Sequence, residues 1–314
     1  MPIAEATREC PGSNILENSH RLTCIHVYER LELIVSGLLK GHPLSRRVDR
    51  HMIFKYIARN ISIRILMLIG IGVFAGGPMF ARPLFKNSVA STEIDFIHTD
   101  DPSVAFRMNE VGRERKEMPD KRSGDGDDAL FLENVGVFEL TYSDGTIVEV
   151  WASPQLESSA ALYARHCADA MAKLPHALRS QLKHVVVHFG NESAFAEESG
   201  GFFVVYSENI EIRLANNDFE ETVFHEAIHV ALEAEHARSE GWLQAQKEDR
   251  AFITQYAEQQ PKKEDLPEFA LFAYTYFKHP ERLPQRVQDE LAQKMPNRLK
   301  YLQQVMATWG PIAK

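Results

Sequence analysis

The sequence predicts an α+β domain over residues 135–314, with a small N-terminal sheet followed by a helical C-terminal part. Three observations carry this. Alternating or β-branched apolar runs are confined to residues 137–214; from Asp218 almost to the C-terminus the apolar spacing is helical; and strands come before helices instead of alternating with them. Residues 137–142 and 146–151 alternate apolar and polar side chains around Ser143-Asp144-Gly145, which predicts a hairpin. Residues 156–174 have helical periodicity, and residues 184–189 form a β-branched strand. Residues 202–206 and 210–214 read as a second hairpin across Ser207-Glu208-Asn209. The helical stretch after Asp218 is broken near Pro261, Pro280, Pro284 and Pro296.

The chain has 314 residues, 44% hydrophobic and 25% charged, values that exclude whole-length disorder, a multi-span membrane protein and low-complexity arrays. A net charge of −9 argues against a general nucleic-acid binder. Cys10, Cys24 and Cys167 are too few for a disulfide scaffold. The charge is uneven: residues 1–64 hold ten Lys/Arg against six Asp/Glu, a net +4, which leaves −13 for the rest. At the boundary lies an uncharged apolar run, residues 65–81, at the lower limit for spanning a bilayer. Arg46, Arg47, Arg50, Lys55, Arg59 and Arg64 precede it, so the positive-inside rule keeps the N-terminus cytoplasmic and predicts an exported or membrane-anchored C-terminal part. The run reads either as an uncleaved anchor or as a signal peptide cut near Ala81, and translation starts at Met1 or at Met52. The predicted organisation is a basic segment (1–64), the apolar run (65–81), a polar and flexible linker (82–134) and the folded domain (135–314).

The chemistry-bearing motif is His225-Glu226-Ala227-Ile228-His229. On a helix, residues four apart share a face, so both imidazoles reach one metal ion, while Glu226 reaches a water on that metal without being a ligand. Val223, Phe224, Ala227, Ile228, Val230, Ala231 and Leu232 make the helix largely apolar, and Asp218 with Glu221 has capping-box spacing at its start. Histidines and a carboxylate buried in such a helix are costly unless something pairs with them. A metal ion would do so.

Candidates for a third ligand lie downstream. His236 fails the metzincin spacing by one residue and lacks the glycine that pattern needs. Glu248 stands nineteen residues after His229, an aminopeptidase-like spacing. Glu268 opens an apolar helix that continues through Leu271, Phe272, Tyr274 and Phe277, where it also has capping-box spacing from Asp265. Spacing alone does not choose between Glu248 and Glu268.

From His225 to Phe277 the chain resembles the zinc metallopeptidases similar to anthrax lethal factor, which are gluzincin-type enzymes. The resemblance is carried by the His-Glu-x-x-His motif, then Tyr256, Pro261 and Glu264-Asp265-x-x-Glu268 about forty residues later. It implies a zincin-like catalytic domain with His225, His229 and Glu268 on one catalytic zinc ion, Glu248 being the runner-up. It implies water as the fourth zinc partner, Glu226 as general base and acid, and a peptide or protein as substrate. Tyr256, Tyr274 and Tyr276 are candidate oxyanion donors, with Tyr256 favoured by the resemblance. Asp265 either orients a ligand histidine or caps its helix. The predicted 202–214 hairpin is the candidate edge strand for aligning substrate. Two competing classes are a non-catalytic zinc-binding interaction module, for which Glu226 would be superfluous, and a zinc amidase acting on a cell-wall bond. His184 and His188 share one face of a strand without helical ligand geometry.

Overall fold

The computed structural model describes residues 81–122 and 131–310. Six strands form one mixed sheet in the order β1-β2-β3-β4-β6-β5: β1 Phe106–Glu117, β2 Phe131–Tyr142, β3 Ile147–Ala152, β4 His184–His188, β5 Phe195–Glu197 and β6 Phe202–Tyr206. The first three are antiparallel, β4 is parallel to both β3 and β6, and β5 returns antiparallel onto β6 as the sheet's edge. Among the described residues nine α-helices follow or connect these strands, mostly after the sheet. They are α1 Ala160–Ala172, α2 His176–Arg179, α3 Ser207–Ala215, α4 Phe219–Leu232, α5 Glu240–Asp249, α6 Gln255–Gln259, α7 Asp265–Lys278, α8 Gln285–Lys294 and α9 Pro296–Met306. A mixed α and β architecture with its helices mainly C-terminal is therefore present.

The predicted 137–151 hairpin is the β2–β3 pair, with Leu140 opposite Val148. Its turn is closed by the Gly145 amide donating to Tyr142 O (3.0 Å) and the Thr146 amide to Asp144 Oδ1 (3.0 Å). Gly145 has φ +91°, which only glycine adopts without strain. The Asp144 carboxylate also takes Arg179 and His176, fastening the turn to α2. Parallel strands need a crossover, and α1 with α2 supplies it between β3 and β4. β6 is buried along its whole length and β4 nearly so, as expected of inner strands covered on both faces.

The structure departs from expectation in three places. Residues 207–215 are the helix α3, not a returning strand. The Ile-Glu-Ile-Arg-Leu run fits either period; the fold buries Ile210 and packs Leu214 against the core four residues later, while Ile212 stands 45% exposed. The stretch 82–134 contains structure that a flexible linker would not. β1 pairs along β2 through two register shifts, and its charged side chains face solvent on an edge strand, a common protection against further pairing. Residues 81–101 form a strap across the helices: Phe85 bonds to Ile253 O (3.0 Å) and accepts from Gln255 N (2.8 Å), and the Phe96 amide donates to Glu221 (2.7 Å). Val89, Phe96 and Ile97 are buried one at a time along this irregular path, which is why no periodicity betrays them. Finally, no capping box forms on α4. Asp218 pairs with Arg213 (3.0 Å), and Glu221 is occupied by the strap.

Residues 1–80 lie outside the described residues, and with them Cys10, Cys24, the basic segment and all of the apolar run except Ala81. Among the described residues no helix is long and apolar enough to cross a membrane.

The C-terminal helices are held by a buried ionic knot. Arg298 on α9 is fully buried between Asp249 of α5 (3.1 Å) and Asp265 at the start of α7 (2.5 Å), and Gln246 donates to Asp265 at 2.9 Å. The guanidinium also lies over Phe269, 4.9 Å from the ring centre. Removing one partner of such a group strands the others without water. Arg298→Ala is expected to lower unfolding free energy by about 3–5 kcal/mol, measured as the shift in a urea-denaturation midpoint.

Candidate metal centre

α4 carries the His225-Glu226-x-x-His229 motif through the interior: every residue from Glu221 to Val230 is buried. It packs against α7 and α1, so its polar residues face a cleft instead of solvent. The two imidazoles lie one helical turn apart, with ring centres separated by 5.1 Å.

The carboxylate that meets them is Glu264, at the N-cap of α7. Its Oε2 atom lies 3.3 Å from Nε2 of His225 and 3.3 Å from Nε2 of His229. One ligand atom from each of these three residues falls within 4.8 Å of the others, and all three side chains are buried. Glu264 Oε2 has no hydrogen-bond partner. A buried carboxylate oxygen set against two ring nitrogens and otherwise unsatisfied is costly unless positive charge sits among them. The donor set, two imidazoles and one carboxylate, is one that zinc accepts. The residues therefore fit a metal ion.

Two further carboxylates stand behind the rings, one hydrogen-bonded to its histidine and one only near it. His229 Nδ1 stands 2.7 Å from Glu233, one turn further along the chain, and this bond turns Nε2 toward Glu264. Burial disfavours a charged His229, but Glu233 and Glu264 outweigh it and push its pKa up to about 9. His225 Nδ1 faces Glu268 Oε1 at 3.5 Å. Glu268, fully buried, is held by the strap: its Oε2 accepts the Val89 amide at 2.8 Å, and its Oε1 accepts the Ser88 hydroxyl.

The expected third ligand thus lies beside the cluster and not in it. Glu264 and Glu268 share one face of α7, four residues apart, and the approach of α7 to α4 brings the first against the Nε2 atoms and the second behind His225. Glu248 is exposed on α5, bonded to Gln244 (2.6 Å). Asp265 orients no histidine and caps no helix with its side chain; Arg298 and Gln246 hold it. It pins the first turn of α7, and through that turn Glu264.

Glu226 lines the same cleft as His225, His229 and Glu264. Burial pushes its carboxyl above the ordinary carboxylate range, against the pull of the two histidines. Of the three tyrosines, only Tyr256 lines the cleft; Tyr274 packs against Phe224 and Trp309, and Tyr276 against Phe277. Burial and the nearby Glu264 raise the Tyr256 phenol, so it stays protonated at neutral pH. The edge strand beside the cleft is β5, not the expected 202–214 segment: Phe195 and Ala196 line the cleft, while β6 lies one strand in. His184 is stacked between Trp151 (3.6 Å) and Phe202 (4.5 Å), and His188 bonds to Pro119 O (3.1 Å). Cys167 is buried, which pushes its thiol up to about 12.

Sequence reasoning missed Glu233 as the orienting group of His229, although its i+4 position on the same helix was readable. It also assigned Glu264 no role of its own. No protein-family model and no curated protein matches the chain, so its likeness to lethal-factor-type peptidases rests on the motifs alone.

Proposed function

We propose that this chain is a zinc-dependent peptidase, with His225, His229 and Glu264 holding one zinc ion and Glu226 acting as the proton-transfer group. The observation that carries the reading is the buried, unsatisfied Glu264 oxygen at 3.3 Å from the Nε2 atoms of both His225 and His229, the two histidines that flank Glu226 on α4. A zinc ion there supplies Lewis acidity, polarising a carbonyl and lowering the pKa of water toward about 7. Glu226 takes the proton of the attacking water at its carboxylate and returns it to the leaving amine. The raised carboxyl pKa suits a group that must both accept and release that proton. Tyr256 presents a neutral hydroxyl to the cleft, where it donates to the developing oxyanion. β5 offers an edge on which an extended peptide is laid. Glu233 fixes the His229 imidazole by a hydrogen bond, and Glu268, held by the strap, places a carboxylate behind that of His225.

A purely structural zinc site has no use for a buried Glu226 in an open cleft, which favours catalysis over a non-catalytic binding module. The basic residues of segment 46–64 and the apolar run after them favour a catalytic domain outside the cytoplasm. Metal analysis of the purified full-length chain is expected to give one zinc per chain, with chelator-sensitive cleavage of a mixed peptide pool. A chain that holds zinc but cleaves no peptide would defeat the peptidase reading, and one that holds no zinc would defeat the centre itself.

A further inference from the structure

We propose that the cleft selects acidic polypeptide, binding Asp or Glu side chains that flank the bond held over the His225–His229–Glu264 centre, through Lys86, Lys121 and Lys263. This names the substrate class of the peptidase site and rests on that reading.

The chain as a whole carries −9, yet the cleft of about 560 Å³ is lined by Lys86, Lys121, Lys263 and Arg213 against only two carboxylates, Glu226 and Glu264. Both carboxylates belong to the metal centre. A divalent ion there would add positive charge even after displacing the proton that His229 carries, so loading the centre makes the cleft more cationic. Arg213 is already committed to Asp218 (3.0 Å). The three lysines are not: among the described residues none of them makes an ion pair with a carboxylate.

The lysines come from three separate segments. Lys86 is on the strap, Lys263 is in the turn that delivers Glu264, and Lys121 follows β1 and reaches the loop before β5. The Lys121 ammonium lies 5.1 Å from the centre of the Phe195 ring and donates to Ser193 O (3.1 Å), Ser193 Oγ (2.8 Å) and Ala194 O (3.0 Å). These acceptors are neutral and fix the ammonium at the start of the edge strand; Glu226, Glu192 and Glu264 act on it only through space, and none forms an ion pair with it. Lys263 is near enough to act on it electrostatically as a like charge, and an acidic side chain placed between the two would relieve that repulsion. A peptide laid along β5 passes this position. A polynucleotide is disfavoured because its backbone charge would meet a net-negative protein beyond the cleft.

The test compares labelled peptides of one sequence in which the flanking positions are Glu, Gln or Lys. Binding is read by fluorescence anisotropy to the full-length Glu226→Gln chain loaded with zinc. Cleavage is read as kcat/KM on the parent. The Glu peptide is expected to bind at least tenfold tighter than the Gln peptide at low salt, and this advantage should shrink strongly near 0.5 M NaCl, where the screening length falls to several ångströms. Lys86→Glu/Lys263→Glu should cut the Glu-to-Gln ratio at least tenfold, and Lys86→Gln/Lys263→Gln should lower it by less. The milder pair and the salt series need no charge-reversed protein to fold. Equal binding of the Glu and Gln peptides, a preference for the Lys peptide, or a ratio within twofold of the parent in both variant pairs would overturn the proposal. Acidic preference in binding without cleavage of any peptide would keep the recognition and sink the peptidase reading; equally fast cleavage of all three would do the reverse.

Discussion

Glu226→Gln is expected to reduce peptide hydrolysis by a factor of about 10²–10⁴, the range a positioned general base contributes, while leaving zinc content at the parent level. The two halves of this expectation have different origins. Glutamine keeps the size of Glu226 and its polar end in the buried cleft, but its amide accepts no proton at any accessible pH. The centre loses nothing, because the three converging ligand atoms belong to His225, His229 and Glu264. His229→Ala should lose both properties together: it removes a ring nitrogen from the cluster and leaves Glu233 without the partner it holds at 2.7 Å. Parallel measurement of kcat/KM and bound metal on the two variants separates base from ligand. Parent-like turnover by a purified Glu226→Gln chain would remove the mechanism. Zinc lost together with activity in that variant would instead place the glutamate on the metal.

What the sequence made legible follows from local period. The α4 motif was readable because two histidines four apart in an apolar run admit one geometry on a helix, and the structure brings both rings into one buried cluster. The β2–β3 turn was readable because Asp144-Gly145 combines a side-chain acceptor with a residue free to take positive φ. The strap was not, because Leu84, Phe85, Val89, Phe96 and Ile97 are packed by separate tertiary contacts and follow no period. β1 was hidden by its charges: Arg107, Glu110, Arg113, Glu114, Arg115 and Lys116 have the composition of a tether, yet the backbone pairs with β2 whatever the side chains carry. The choice between Glu264 and Glu268 was beyond any one-dimensional pattern. The residues lie one turn apart on one helix face, and only the docking of α7, fixed by Asp265 on Arg298 from a helix over thirty residues later, decides which of them meets the imidazoles.

That choice gives the second large effect. Glu264→Ala is expected to abolish stoichiometric zinc binding, whereas Glu268→Ala should weaken it by roughly 10–100-fold, the usual cost of losing a group that orients a ligand. Glu268 contributes in two ways. It places a carboxylate 3.5 Å from Nδ1 of His225, close enough to accept a hydrogen bond from that nitrogen once the ring is held on a metal, and it satisfies the buried Val89 amide at 2.8 Å. Alanine therefore frees the ring and leaves a buried donor unpaired, so Glu268→Ala should also lower the unfolding midpoint. Glu268→Gln keeps an acceptor for Val89 and should recover most of the stability but only part of the affinity, since an amide holds the imidazole less firmly than a carboxylate. Ser88→Ala removes only the hydroxyl that steadies the same carboxylate and should have the smallest effect of the set. Competition with a chromophoric chelator measures all four affinities under one condition. If Glu268→Ala lost zinc outright while Glu264→Ala kept it, the ligand would be Glu268 after all, and α7 would have to turn or slide toward α4 when the ion binds.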